Sequence, residues 1–533
     1  MEDKTTSPAK PGQAGLPLRE LARRLSMPWL ESIGVSEMEP ELARKATFQF
    51  CKTNLLLPLK VIDGRLLAVT ARPLEAGPMD DLRLIYAMPV DLAAADEETI
   101  IEAVNRAFDL SAHSAGEVMD DIEEPDDLDT LIHGLPQDLL EASAEAPVIR
   151  LVNSLMVQAV KENASDIHIE PYERELVVRF RVDGALRNII KPPRKLVALI
   201  ASRIKIMARL DIAEKRLPQD GRIKIIIAGK EVDVRVSVIP TANGERIVMR
   251  LLDKSRKLYG LEGIGLRGPI LERMKSLINT PHGIILVCGP TGSGKTTTLY
   301  SAISRINTVE KNIITVEDPI EYQLAGVGQM QVNSKIGLDF AAGLRSILRQ
   351  DPDVIMVGEI RDVETAQIAV QASLTGHLVF STVHTNDAAG AVARLVDMGV
   401  EPFLISSSLL AVLGQRLVRV LCPTCKEAFT PGPEHLAEIG VSSTDIPANT
   451  LFYRPTGCDQ CRMTGYSGRT GIYELLLIDD DVRSQIASKA NSAQIKHVAE
   501  GKGFFTMRHY GLGLIMDGIT SLEEVVRETS DIM

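Results

Sequence analysis

Cysteine is scarce in this chain, six in 533 residues, and that excludes a disulfide framework as the source of its stability. Long apolar runs are missing as well. No stretch approaches the ~18 consecutive apolar residues of a membrane span, and Met1 to Gly15 is polar where a secretory leader would be apolar. The expectation is a cytoplasmic protein that reaches any membrane through a partner. An excess of base is also lacking. Acidic residues number 71 against 59 basic ones, a formal charge of −12, which argues against a surface made chiefly to grip nucleic acid or acidic lipid. What remains is an ordinary globular composition, long enough for about three or four domains.

Patterning divides the chain. Residues 1–16 are rich in Pro, Gly, Lys and Ser and read as a disordered start. Over 17–112, helix-like stretches (Glu20 to Ile33, Glu97 to Ala107) alternate with short strands at Leu56 to Val61 and Arg65 to Thr70, joined through Asp63-Gly64. This is a small α+β domain without evident chemistry of its own. The strongly acidic run Glu117 to Asp129 marks a linker over 113–140, with a solvated acidic face as the plainer alternative. A second α+β domain follows over 141–255. Its helix opens on Pro147, places Val148, Leu151, Val152, Leu155, Met156, Ala159 and Val160 on one face, and meets a left-handed cap at Asn163. Strands are expected at Asp166 to Glu170, Leu176 to Val182, Ile223 to Ile227 and Glu231 to Val238, with turns at Asp183-Gly184 and around Gly229. From 256 to 533, strands alternate with helices, which implies a parallel, doubly wound sheet.

The chemistry begins in that last region. Gly289-Pro290-Thr291-Gly292-Ser293-Gly294-Lys295-Thr296, continuing into Thr297, lies between an apolar strand-like run (Gly283 to Cys288) and a run free of Gly and Pro. That is the context of a phosphate-binding loop. Glycines admit the backbone to the phosphates, Lys295 brings a mobile charge, and the Thr296 hydroxyl can hold Mg2+. The chain is therefore expected to bind a nucleoside triphosphate such as ATP. Asp353 to Glu359 is an apolar strand ending in a carboxylate, placing Glu359 at a strand's carboxyl end to polarise the attacking water. A merely solvated Glu is the plain alternative. Ile313 to Val316 runs into a second acidic cluster, Glu317, Asp318 and Glu321, expected to hold Mg2+ through water and to order catalytic water, with a turn bearing surface acids as the competitor. Between Gly376 and Asn386 a further strand is bracketed by His377 and His384, and His384, at the carboxyl end, is favoured as a sensor of the γ-phosphate.

Cys422-x-x-Cys425 and Cys458-x-x-Cys461 set four thiolates in two pincers, suited to a closed, structural tetrahedral Zn2+ site. Two disulfides are the alternative. Cys51 and Cys288 read as buried or incidental thiols. The bases around the pincers are matched by acids, which favours a folding or protein-contact role over nucleic-acid binding.

Together these boxes, with Ala164 to Pro171 and Asp211 to Arg222, resemble the secretion ATPase superfamily, and within it the type II secretion ATPases more than the pilus-assembly branch. The resemblance covers most of the chain. It implies an α/β fold: a RecA-like P-loop NTPase domain with a zinc-binding insert at about 420–468, preceded by two smaller α+β domains, the second PAS-like. It also implies a cytoplasmic homo-hexamer, peripheral at the inner membrane, that hydrolyses ATP to drive pseudopilus assembly for protein secretion. Its partners would be a type II secretion L protein, docked by the first domain, and the platform F protein. Arginines of the second domain would reach the phosphates, with Arg209, Arg222, Arg216, Arg246 and Arg250 in matching segments; Arg345 and Arg349 are further candidates. Two departures stand out. Met463 occupies a position where Gly is usual, and His509-Tyr510 replaces a more polar pair. A pilus-extension ATPase and, from another class, a nucleic-acid translocase are the rival readings.

Overall fold

The computed structural model describes residues 18–34, 38–39, 42, 45–46, 48–97, 99–101, 103–104, 107, 147–227, 230–253, 259–442, 446–447 and 449–530. The expected disordered start and acidic linker lie outside these residues, as does the turn at Gly229. The chain divides into two compact units, residues 1–255 and 256–533.

The first unit opens with a three-stranded sheet. Strands β1 (Leu56–Ile62) and β2 (Arg65–Thr70) pair antiparallel. Both turn residues between them, Asp63 (φ 49°) and Gly64 (φ 76°), are left-handed, the geometry that matches strand twist in a two-residue hairpin. Helix Ala76–Tyr86 then crosses over to β3 (Val90–Ala94), which lies parallel to β2. Leu57, Leu66, Leu82 and Ile100 are fully buried in this core. The first helix is shorter than the expected Glu20 to Ile33. It spans Leu18–Arg24 and stops where Ser26 turns left-handed ahead of Pro28, which cannot continue it.

Helix Pro147–Lys161 buries the predicted face, and Asn163 adopts φ 53° past its end. It packs with helix Val197–Ala208 into a core shared with a six-stranded antiparallel sheet ordered β6-β5-β4-β9-β8-β7. The strands are β4 (Asp166–Pro171), β5 (Leu176–Val182), β6 (Ala185–Ile190), β7 (Gln219–Ile227), β8 (Lys230–Thr241) and β9 (Gly244–Asp253). Sequence patterning missed β6 and β9. β6 is half-buried along almost its whole length and so shows no alternation.

The second unit holds a seven-stranded sheet ordered β12-β11-β13-β14-β10-β15-β18. These are β10 (Gly283–Cys288), β11 (Ile313–Glu317), β12 (Gly328–Gln331), β13 (Val354–Val357), β14 (Leu378–Val383), β15 (Leu409–Leu421) and β18 (Tyr466–Leu477). β10 is buried on both faces: Ile284 and Leu286 enter one core, Ile285 and Val287 the other. That is why it reads as an unbroken apolar run. The expected all-parallel sheet needs one correction. β18 runs antiparallel to β15 along nearly its full length, because the segment between them, which contains β16 (Glu427–Phe429), helix Pro433–Ile439 and β17 (Phe452–Arg454), folds back as a long excursion. No helix of the described residues is long and apolar enough to cross a membrane.

Candidate nucleotide and metal sites

Parallel pairing brings the chemistry to one edge. Cys288, the last residue of β10, pairs with Val383 of β14; Ser381 pairs with Val357 of β13; Val357 pairs with Val316 of β11. The phosphate loop, His384, Glu359 and the acidic cluster therefore leave neighbouring strands at the same, carboxyl end, where ligands of open α/β sheets sit. His377 enters β14 at the opposite end, its Nδ1 2.8 Å from Ala372 O.

The loop leads into helix Lys295–Ile306 through Gly294, left-handed at φ 87°. At Gly289 a methyl group would stand 2.3 Å from Gln415 O and 2.7 Å from Ser293 Oγ, so only glycine fits the turn. Lys295 is buried, and its Nζ donates to Gly289 O at 2.8 Å and Pro290 O at 3.0 Å. Burial pulls its pKa down, against the pull of Cys288 and Glu359. The ammonium is thus poorly solvated and held by two neutral carbonyls. A phosphate oxygen is a stronger partner. Ser293 Oγ is buried with no hydrogen-bond partner among the described residues, whereas Thr296 is exposed at the helix start. A cradle that only glycine fits, an under-solvated lysine and an exposed hydroxyl suit a triphosphate and its Mg2+.

Glu359 is bracketed by two partners. Its Oε2 lies 3.2 Å from His384 Nε2, and its other oxygen pairs with Arg361. That pairing is the leading cause that raises the Arg361 pKa. Glu317 faces inward instead. It is 3 % exposed, and its carboxylate accepts from Tyr300 Oη, from Thr315 Oγ1 at 2.6 Å and from Gln329 Nε2 at 3.0 Å. Tyr300 belongs to the phosphate-loop helix, so Glu317 ties that helix to β11. Asp318 is exposed and Glu321 half-buried at the edge.

Sequence reasoning missed two residues here. Arg361 is one. The other is Gln415, 2 % exposed within β15, which donates Nε2 to Ser293 O at 2.6 Å and accepts from Thr298 Oγ1 at 2.7 Å. A glutamine inside an otherwise apolar strand was the available signal, since a buried amide must find partners.

The four pincer thiols converge within 4.8 Å of one another, with Sγ to Sγ distances of 3.7 Å (Cys425 to Cys461, Cys458 to Cys461) and 3.9 Å (Cys422 to Cys458). A Zn–S bond of about 2.3 Å gives a tetrahedral edge of about 3.8 Å, whereas a disulfide needs about 2.05 Å. The thiols therefore fit zinc. Desolvation opposes ionisation of Cys461, yet N–H groups of Cys458 and Gly465 and the neighbouring thiols bring it down to about 6. Cys51 and Cys288 are free and fully buried. Beside the pincer, Arg462 and Met463 are both left-handed, at φ 54° and 60°. Met463 thus holds the conformation that a glycine would adopt without strain.

The family Type II/IV secretion system protein matches residues 141–527, and the MshEN domain matches 25–114. The chain belongs to the type II/IV secretion system protein family. It is 49 % identical to the type II secretion system protein E of Dickeya dadantii (strain 3937), over 92 % of this chain and 98 % of that one. With the type II secretion system ATPase E of Vibrio cholerae serotype O1 it shares 53 % identity over 83 % and 87 %. The type IV pilus assembly ATPase PilB of Myxococcus xanthus is 45 % identical over 93 % and 88 %. The Legionella pneumophila ATPase DotB shares the fold, at TM-score 0.52 and 22 % identity over 71 % of this chain and 95 % of that one. Membership of this family and the similarity to secretion ATPases indicate that the chain is an ATPase.

The family's candidate arginines divide into two groups in the structure. Arg246 pairs with buried Glu170, Arg250 with Asp166 at 3.0 Å, and Arg216 with Glu214 at 2.9 Å. Arg209 and Arg222 are exposed, and their side chains make no hydrogen bond or ion pair among the described residues. Arg345 pairs with Glu364, and Arg349 donates to Arg345 O at 2.9 Å.

Proposed function

We propose that this chain is the ATP-hydrolysing motor of a type II secretion system, a cytoplasmic homo-hexamer peripheral at the inner membrane that drives pseudopilus assembly. The observation that carries this reading is Glu359, held between His384 and Arg361 at the sheet edge that bears the phosphate loop. Lys295 exchanges two loop carbonyls for phosphate oxygens, and loop N–H groups of Gly292 to Thr297 surround them. Thr296 would hold Mg2+ through its hydroxyl, with Asp318 and Glu321 placed to order water at that edge, and the ion would supply neutralisation of phosphate charge. Glu317 braces the loop helix. Glu359 orients the attacking water and takes its proton, while His384, next to that carboxylate, registers the γ-phosphate. Arg209 and Arg222 are the candidates to stabilise transition-state charge, since their guanidinium groups are otherwise uncommitted. Cys422, Cys425, Cys458 and Cys461 would hold Zn2+, which would close the insert as a structural site. The first domain docks on the L protein, and the motor acts on the platform F protein.

A motor for type IV pilus extension is the second reading, favoured by the 45 % identity to the Myxococcus protein. The deciding measurement is ATPase rate for the full chain alone, with the cytoplasmic segment of the L protein, and with DNA. Stimulation by the L segment supports secretion; stimulation by DNA with steep salt dependence would replace it with a nucleic-acid translocase. Glu359→Gln should retain ATP binding and lose turnover. Hydrolysis by that variant at the parental rate would assign the water to another carboxylate.

A further inference from the structure

Glu474 is an ionisable residue in the interior of the ATPase domain, on β18, that neither the phosphate chemistry nor the cysteine site uses. It is 1 % exposed. Opposite it in the ladder stands Gly414, where a methyl group would lie 2.7 Å from Glu474 Cγ and 2.9 Å from Oε1. The glutamate side chain therefore crosses β15 at a residue that must lack a Cβ. Its two oxygens then serve two helices. Oε1 accepts the N–H of Ala388 at 2.8 Å and Oε2 that of Met507 at 3.3 Å. These are the first residues of helices Ala388–Asp397 and Met507–Met516. First-turn N–H groups have no acceptor within their own helix and carry the positive end of its dipole, so each favours a carboxylate.

The two helices have different neighbours. The first begins directly after His384, Thr385, Asn386 and Asp387, the segment that leaves β14 beside Glu359. The second packs against β18 and helix Leu522–Thr529, in the C-terminal layer. Gly414, under the Glu474 side chain, pairs with Cys288, the residue that precedes the phosphate loop. We propose that Glu474 is a positioning residue that holds both helix starts at once, setting the His384 segment against Glu359 and coupling it to the Met507 helix. Its consequence for turnover rests on the ATPase reading above; the coupling itself does not.

Protonation supplies a handle. Burial raises the Glu474 carboxyl to about 7, helped by Asp387 and opposed by the N–H groups of Ala388 and Met507 and by Lys496. The titratable and charged groups facing it are Asp387 before the first helix, Lys496 on helix Ser492–Glu500 and the Cys288 thiol on β10. Above about 7 both oxygens accept. Below it one carries a proton that meets an N–H donor, and one helix start is released.

The test uses the full chain. Hydrogen exchange is compared between parent, Glu474→Gln and Glu474→Ala. Glu474→Ala should speed exchange at the starts of both helices together while β10 and β13 keep parental protection. Glu474→Gln, which retains volume and one acceptor, should loosen at least one start and serves as the readout if the alanine variant does not fold. In parallel, Glu474→Gln should lower kcat about tenfold with KM within about twofold, and the parental fall in rate below about pH 7 should flatten. Parental protection at both helix starts in Glu474→Gln overturns the proposal even if the parent hydrolyses no ATP. Loosened starts with an unchanged kcat and pH profile remove its role in turnover.

Discussion

The phosphate loop and the cysteine pincer are both recognised by short spacing motifs, but they are supported in opposite ways. The loop depends on residues remote in sequence: Gln415 from β15 holds Ser293 and Thr298, and Glu317 from β11 holds Tyr300 of the loop helix. The pincer is largely self-contained. The Cys461 thiol accepts the N–H groups of Cys458 and Gly465, both from within the pincer's own segment. A motif that acts through backbone dipoles needs a rigid surround, whereas one that acts by ligating a metal is made rigid by the metal.

The contrast is most directly broken at the metal. Cys422→Ser should take zinc content in reduced protein from about one per chain to about zero, and expose the insert to protease while triphosphate affinity stays within a few-fold of parent. Metal analysis and nucleotide titration of the same preparation check both halves; loss of affinity together with zinc would make the two sites one. A smaller effect is expected at the loop's remote support. Gln415→Leu leaves Ser293 O and Thr298 Oγ1 buried without their partner, at a cost of ~1–3 kcal/mol, which should weaken ATP binding about tenfold and leave zinc content alone. Unchanged affinity would mean that the loop holds its shape unaided. The smallest change is a gain. Met463→Gly removes a side chain from a left-handed position and should stabilise the insert by about 1 kcal/mol, seen as slower zinc loss to a chelator.

The same contrast explains what could be read from the sequence. Lys295, Glu359, His384 and the four cysteines were legible because each belongs to a local pattern at the end of an apolar strand or in a paired spacing. Gln415 and Arg361 were not, since their roles arise only when β15 is placed beside β10 and when Glu359 is seen to need a counter-charge. The antiparallel return of β18 was hidden for a related reason. An apolar run reports burial, but its direction is set by the excursion that separates it from β15. The hairpin at Asp63-Gly64 was readable because the turn residues themselves demand positive φ.

One strand serves both sites. β15 carries Gln415 under the phosphate loop and ends at Leu421, so Cys422 enters the cysteine pincer from its tip. Seven residues of strand at ~3.3 Å each make a ruler of about 23 Å. A two-residue deletion would keep the inward and outward alternation of side chains yet draw the cysteine module some ~7 Å toward the phosphate-loop edge. Length in β15 is therefore a dimension of the machine, and its residues are less interchangeable than their apolar character suggests.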